Sequence, residues 1–491
     1  MILKLHPRDN VAVALCGLEA GAEVTCTAGR LRLLQSVPQG HKIALKRIGP
    51  GEPVLKYGAP IGKASRVIEP GAWVHTHNLR SALTERQLRQ GPAPEMPEPR
   101  EPPPIFMGYP RESGAVGTRN ELWILPTVGC VNRLAEQIAA AWRRDHPQDI
   151  PAYAFTHPFG CSQAGEDLDR TARIIAGLAR HPNAGGVLLL GLGCENNRVW
   201  ELVSRQDLIV GKRLEVLEAQ QAADELAAGS AALERLAEYA RSAERRPCSV
   251  RDLVVGLQCG GSDAFSGITA NPVVGMVSDM IVGWGATVIL AEIPEIVGAE
   301  GYLLARCSSE GLRKELLALI SRFDENFRSW GCSLNENPSP GNLEGGITTL
   351  EEKSLGAVQK AGRGPITQVL KYGDPVKGPG VALLATPGND LVSGTAEVGS
   401  GATLILFTTG RGTPLGFPAP TIKVSSRTEL ARTKPGWIDF DAGRAASGAE
   451  PEELAGELLS LLIEVASGEK STCSEKRGDR QIGLWKEGVT L

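Results

Sequence analysis

The chain has 491 residues, with 56 acidic and 52 basic side chains giving a formal charge of −4. At ~150 residues per domain, that length predicts about three domains, and the balance leaves no global positive field to favour nucleic acid or an anionic membrane. Apolar residues make up 42%, aromatics only 5%, and 58 residues are glycine, so the cores must be built from Ala, Val, Leu and Ile, between many tight turns.

No apolar run approaches the ~18 residues of a membrane span. Lys4, Arg8 and Asp9 interrupt what would have to be the apolar stretch of a signal peptide, which predicts a cytoplasmic protein. In that reducing compartment the ten cysteines are expected to be free, metal-bound or reactive rather than disulfide-paired.

Residues 1–80 read as short β segments punctuated by Gly and Pro, at Asn10–Ala14, Glu23–Cys26, Lys42–Leu45 and Trp73–His77. Seven prolines in the fourteen residues Gly91–Pro104 predict an extended spacer, so residues 81–107 are expected to be a linker. From Gly108 apolar runs of strand length alternate with helical periodicity, the pattern of βα units and a mostly parallel sheet.

Strands are predicted at Leu122–Leu125, Tyr153–Phe155 and Val187–Leu190, each followed by a helix, and an Ala/Glu/Arg-rich helical stretch at Leu217–Arg246 closes a first α/β domain over 108–248. A second α/β domain over 249–491 has predicted strands at Leu253–Leu257, Thr287–Ala291, Val381–Ala385, Thr403–Phe407 and Thr421–Val424, and a C-terminal helix at Glu452–Ala466. Residues 333–363 read as a long loop, which in a compact domain is usually functional.

Cys130, Cys161, Cys194 and Cys259 each follow an apolar strand in a glycine-containing loop, the first three at intervals of 31 and 33 residues. That position is the carboxyl edge of a parallel sheet, where ligands bind, so the four thiols are candidates for one site. His75 and His77 are two apart on what reads as a strand end, where both imidazoles face the same way and can reach one cation. His157 beside Cys161 is an acid–base candidate. Arg119, Asn120, Asn271, Lys353, Lys360, Asn389, Asp390 and Arg411 lie in Gly/Pro/Thr-rich loops and suit a polyhydroxy carboxylate.

The ordered set DNVAVAL, GHKIAL, VLKYGAPIG, HTHN, VGTRNELWILPTVGCVN, HPFGCSQ, HPNAGGVLLLGLGCENN, CGGSDAFSGITANP, ENPSPGN, GGITTLEEKSLG, QKAG, TPGND, TTGRGTP, WIDFDAG and GVTL covers essentially the whole chain. In it the sequence resembles the altronate/galactarate dehydratase family. The resemblance implies an N-terminal β-clip domain of the SAF type joined to a larger α/β body; with the Pro-rich linker and the two mostly parallel α/β halves read from the residues, the expected fold is α/β with a small β-clip domain, a linker and two Rossmann-like domains. It also implies dehydration of D-altronate to 2-dehydro-3-deoxy-D-gluconate in hexuronate catabolism, with galactarate dehydration or sulfolactate sulfo-lyase activity as family alternatives, and a non-catalytic sugar-acid-binding protein as the reading from another class.

The implied cofactor is Fe2+, or Mn2+, held by His75 and His77. The alternative is an iron–sulfur cluster on Cys130, Cys161, Cys194 and Cys259. His157, Lys353 and Arg411 are then expected to be catalytic, and Arg119, Asn120, Asn271, Asn389 and Asp390 to bind a small sugar acid. The expected assembly is a homodimer with neither nucleic-acid nor membrane partners.

Overall fold

The computed structural model describes residues 2–26, 29–83 and 102–491. Residues 84–101, which hold most of the expected linker, lie outside the described residues.

The N-terminal unit is all β. An antiparallel sheet runs in the order Ile2–Leu3, Val11–Ala14, Lys42–Ala44, Trp73–Val74, beside a three-stranded sheet of Pro53–Lys56, Ala59–Ala64 and Leu79–Arg80. The predicted strand Trp73–His77 stops at Val74. Residues 75–78 form a turn in which Asn78 Oδ1 accepts from the His75 N–H at 2.9 Å and the His75 carbonyl accepts from the Asn78 N–H at 3.0 Å. His75 and His77 therefore lack the period of two of an extended strand, which is what would turn both rings to one face.

The body holds two wholly parallel sheets and a small antiparallel one of Val116–Gly117, Ile105–Pro110 and Arg246–Ser249, whose central strand takes up the last residues of the expected linker. The first runs Ala152–Ala154, Glu121–Pro126, Ala184–Gly191, Leu214–Glu218. Its central strands ELWILP and AGGVLLLG are buried along their entire length, as strands covered by helices on both faces must be. The second runs Ile366–Leu370, Gly380–Leu384, Thr287–Leu290, Val254–Cys259, Leu404–Thr409, Thr421–Ser425, Phe440–Asp441.

The predicted helical stretch Leu217–Arg246 is corrected at its start. LEVLE at Leu214–Glu218 is an edge strand, and the helix spans Glu225–Ala240 behind the Asp224 cap. Residues 333–363 also differ from expectation: they fold into the short helices Pro340–Glu344 and Leu350–Ala357, the second with a buried face against the N-terminal unit.

The sheets share one apolar cluster, in which Trp123 and Leu189 of the first join Ile289 and Leu384 of the second and Ala396 of the helix Asp390–Gly399. Helices Gly165–Arg180 and Asp390–Gly399 meet there so closely that a Cβ on Gly177 would lie 2.1 Å from the Gly399 carbonyl oxygen. Gly177→Val is expected to cost ~1–3 kcal/mol through overpacking, read as a lower urea midpoint. An unchanged midpoint would mean that the two helices do not pack this tightly in solution.

Candidate active site

In the seven-stranded sheet the chain passes from Val254–Cys259 to strands on one side and later returns to Leu404–Thr409 on the other. The loops after these two strands therefore diverge, and they open the crevice where parallel sheets bind ligands. Cys259 ends the first strand, and Arg411 follows the second.

Beside Cys259 the strand Thr287–Leu290 runs out into Ala-Glu-Ile-Pro-Glu. Glu292 takes a left-handed conformation at φ 62°, rare for a residue with a Cβ, and its N–H donates to Thr386 Oγ1 at 2.7 Å. Its carboxylate faces inward. Cys259 Sγ lies 3.9 Å from Glu292 Oε2 and 3.8 Å from Glu295 Oε2. Glu295 Oε1 is 2.7 Å from Lys353 Nζ, which also donates to Asn337 Oδ1 at 2.9 Å and Asn342 Oδ1 at 3.1 Å. Lys360, fully buried, completes the cluster against Cys259. Asp390 presses on the loop after Cys259. Only glycine fits at 260, since a Cβ there would lie 2.0 Å from Asp390 Oδ2.

Burial dominates the electrostatics. It pushes the Cys259 thiol up to about 12 and Glu292 well above the usual carboxyl range, with Glu295 adding to both. Burial would raise Glu295 too, but the Lys353 ammonium overrides it and holds that carboxyl below its ordinary value. Asp390 is raised to about 6, by burial and then by Glu295, which makes it a carboxylate able to accept a proton near neutral pH.

Of the residues singled out in the sequence, Lys353, Lys360, Asp390 and Cys259 come together here. Asn271 lines a small cavity with Lys353 and Asp263; its Nδ2 donates to the Gly356 carbonyl, while its buried Oδ1 has no partner. Arg411 stands at the exposed rim, donating to the Gly341 carbonyl at 2.9 Å and to Glu344 at 3.0 Å. Asn389 is spent capping helix Asp390–Gly399 through the Val392 N–H.

Other assignments are corrected. His157 is buried with both ring nitrogens engaged: Nδ1 accepts from the Phe159 N–H and Nε2 bonds the Pro126 carbonyl at 2.8 Å. Burial lowers it to about 4, and its two hydrogen bonds pin the loop between Pro126 and Phe159. Arg119 and Asn120 lie at the amino end of strand Glu121–Pro126, opposite the ligand edge. Arg119 pairs with Glu475 at 2.7 Å, and the Asn120 amide bridges Arg111 and the Ala240 carbonyl.

The four strand-end cysteines divide between two sheets. Cys130, Cys161 and Cys194 are exposed at the edge of the first, and buried Cys259 belongs to the second. His75 and His77 both lie against the Trp73 ring, and His75 Nδ1 is 3.0 Å from Thr348 Oγ1 on the body, so the N-terminal unit docks on residues 344–352, with Gly40 and Tyr57 also packed on the loop after Cys259 at Ala264–Gly267.

Glu292 and Glu295 went unnoticed in the sequence, although the rule applied to the cysteines, a polar residue just past an apolar strand, finds them equally well. A larger cleft of about 1000 Å³ is lined by Arg170, Arg173 and Arg322. Those cations are paired with Glu487, Asp374 and Glu166.

Family models match the chain in three consecutive pieces: an altronate/galactarate dehydratase SAF domain over residues 1–82, a D-galactarate dehydratase/altronate hydrolase second domain over 108–241, and a D-galactarate/altronate dehydratase C-terminal domain over 250–490. Altronate dehydratase of Bacillus subtilis (strain 168) is 43% identical over 498 residues, covering 100% of this chain and 99% of its own. Altronate dehydratase of Escherichia coli (strain K12) is 44% identical over 497 residues, with the same coverage of 100% and 99%. Galactarate dehydratase (L-threo-forming) of Escherichia coli (strain K12) is 37% identical over 504 residues, covering 97% of this chain and 94% of its own.

Proposed function

The chain belongs to the D-galactarate/altronate dehydratase family, and we propose that it is a hydro-lyase converting D-altronate to 2-dehydro-3-deoxy-D-gluconate and water. The observation that carries this reading is the Lys353–Glu295–Asp390 cluster at the ligand edge of the second parallel sheet. The full-length likeness to two altronate dehydratases, higher than that to galactarate dehydratase, supports the choice of substrate.

The reaction removes the proton from C2, beside the carboxylate, and the hydroxyl from C3. The resulting enol tautomerises to the 2-keto acid with no change of oxidation state overall. It needs a base at C2, positive charge near the carboxylate as it becomes an enediolate, and an acid for the departing hydroxyl.

Asp390, with its raised affinity for protons, is suited to take the C2 proton. Lys353, held in place by Glu295 and two asparagines, supplies fixed positive charge and a donor. Arg411 at the rim is free to swing from Glu344 onto the substrate carboxylate. Iron(II), with manganese(II) as the alternative, would add Lewis-acid polarisation of the substrate oxygens. The cytoplasm is the proposed compartment, supported by ten unbridged cysteines and by the absence, among the described residues, of any helix long and apolar enough to cross a membrane.

Anaerobically prepared protein with iron(II) is expected to form a 2-keto-3-deoxy acid from D-altronate, followed by carbonyl derivatisation. Turnover of galactarate or sulfolactate with D-altronate inert would move the assignment within the family. Binding without turnover of any of the three would make the protein a sugar-acid binder.

A further inference from the structure

We propose that Cys130, Cys161 and Cys194 hold a four-iron, four-sulfide cluster at the carboxyl edge of the four-stranded sheet, a centre separate from the Lys353 crevice. The three thiols leave neighbouring strands: Cys161 follows Ala152–Ala154, Cys130 follows Glu121–Pro126 and Cys194 follows Ala184–Gly191, with Glu121–Pro126 in the middle. Cys259 ends a strand of the other sheet and takes no part.

The backbone draws the three loops together. The Cys161 loop crosses the end of the middle strand so closely that a Cβ on Gly160, at φ 105°, would lie 2.0 Å from the Thr127 carbonyl oxygen. On one side it is tied to the Cys130 loop, whose Gly129 N–H donates to the Phe159 carbonyl at 2.9 Å. On the other, the Asn197 N–H donates to the Gly160 carbonyl at 3.0 Å and the Ser162 N–H to Asn196 Oδ1 at 2.8 Å, so both neighbours of Cys161 are bonded to the loop of Cys194. Thr127 Oγ1 donates to Glu195 Oε1 at 2.7 Å and joins the other two loops directly. Ser162 is held at φ 55°, a left-handed conformation that a residue with a Cβ keeps only where its surroundings impose it.

This scaffold makes little use of the thiols it presents. All three are exposed and none is in a disulfide; Cys161 Sγ lies 4.0 Å from Ser162 Oγ, and Cys194 Sγ 3.6 Å from Gln220 Nε2. A buried donor gives an independent sign of a missing acceptor. Gln163, 2% exposed and two residues past Cys161, accepts from the Gly160 N–H through Oε1 at 2.9 Å, while its Nε2 has no partner. A buried donor left unpaired is costly, and the sulfurs of a cluster accept such N–H groups.

Spacing selects the occupant. A single tetrahedral ion, with metal–sulfur bonds of ~2.3 Å, gathers its thiolates to within ~3.8 Å of one another. The three Sγ atoms here do not all lie within 4.8 Å of one another. A four-iron cluster gives each thiolate its own iron and so spreads them more widely. Three thiols, each losing its proton on ligation, serve three irons, and the fourth faces solvent, open to an oxygen ligand.

The test is anaerobic reconstitution of full-length protein, stripped with a chelator, using iron(II), sulfide and a thiol reductant. Wild type is expected to take up about four iron and about four sulfide per chain and to gain a broad visible sulfur-to-iron absorption. Cys130→Ser, Cys161→Ser and Cys194→Ser are each expected to lose most of that absorption with unchanged circular dichroism, because the side chains are exposed and serine is close in size. Cys332→Ser, exposed after helix Glu310–Ser329, is expected to keep it. Labelling needs no variant: iodoacetamide should modify Cys130, Cys161 and Cys194 in the stripped protein and spare them after reconstitution, read by peptide mass.

Three results would each overturn the assignment: no sulfide taken up by wild type, an absorption that survives all three replacements, or thiols that stay open to iodoacetamide after reconstitution. One metal ion bound by these thiols without sulfide would overturn it as well, in favour of a single-ion site. None of these readouts depends on turnover. D-altronate left inert by cluster-loaded protein would refute the dehydratase reading alone, and turnover by a chain that takes up no sulfide would refute the cluster alone.

Discussion

Lys353→Met is expected to lower kcat for D-altronate by about 10²–10⁴-fold, the range for removing a positioned acid–base or charge-stabilising group, with a much smaller change in KM. The side chain is 10% exposed and makes three short contacts, to Glu295 at 2.7 Å, Asn337 at 2.9 Å and Asn342 at 3.1 Å. Those partners fix the ammonium in one position, and fixed charge stabilises a developing enediolate without reorganising at the moment of reaction. Methionine keeps the stem and its packing but has no charge and no donor.

Two variants provide the contrast. Arg411→Ala should raise KM with a smaller loss in kcat, because an exposed rim cation contributes to binding of substrate and transition state alike. His157→Ala should lower stability while leaving kcat within a few-fold, because both of its nitrogens serve the loop between Pro126 and Phe159. A Lys353→Met enzyme with kcat near that of wild type would remove this lysine from the reaction.

The α/β body was legible because its central strands are continuous apolar runs followed by glycine loops, a pattern that survives any detail of packing. Strands such as LEVLE at Leu214–Glu218 and ITQVL at Ile366–Leu370 lie toward or at the sheet edges and are only partly buried, so their composition could not be told from helix or loop. The site was half legible. Lys353, Lys360, Asp390 and Cys259 stand on short helices or at a strand end, in stretches whose glycines marked them, but Glu292 and Glu295 follow a strand without a glycine beside them.

His157 misled for a physical reason. A histidine near a strand end looks the same in sequence whether its ring faces a crevice or plugs a loop, and only its two hydrogen bonds distinguish the cases. Arg119 and Asn120 misled because a Gly/Thr-rich loop occurs at both ends of a parallel strand, and ligands bind at only one of them.

The largest stability effect is expected at Glu352. Its carboxylate, 2% exposed, lies 2.8 Å from Lys42 Nζ and 2.8 Å from Lys56 Nζ, both fully buried and both reaching across from the N-terminal unit. Lys42 also donates to the Gly346 carbonyl and to Thr348 Oγ1. Glu352→Gln retains the shape but leaves two buried ammoniums without a counter-charge, a loss of ~3–5 kcal/mol, read by urea unfolding and by faster proteolytic release of the N-terminal unit. Replacing all three together, Lys42→Met, Lys56→Met and Glu352→Leu, should recover most of that loss, since desolvation of the charges offsets much of what the triad contributes.

The pH dependence has a definite sign. Burial alone would raise Glu352, but the two ammoniums bring it down to about 2. Against an ordinary value of 4.5, the unfolded chain binds the proton more readily throughout the window from about 4.5 to about 2, so stability falls as pH drops through it. Lys42, lowered by burial to about 8 from 10.5, behaves in the opposite range: stability gains as pH rises between those values, because the unfolded chain keeps a proton that the folded one releases. The acid-side loss should be absent from Glu352→Gln.

Glu352 also adjoins Lys353 on helix Leu350–Ala357. A partly undocked N-terminal unit should therefore loosen the helix that holds Lys353 against Glu295, and Glu352→Gln should lose turnover even where it remains folded. Full activity in a variant whose N-terminal unit is released by protease would show that the two faces of this helix act independently.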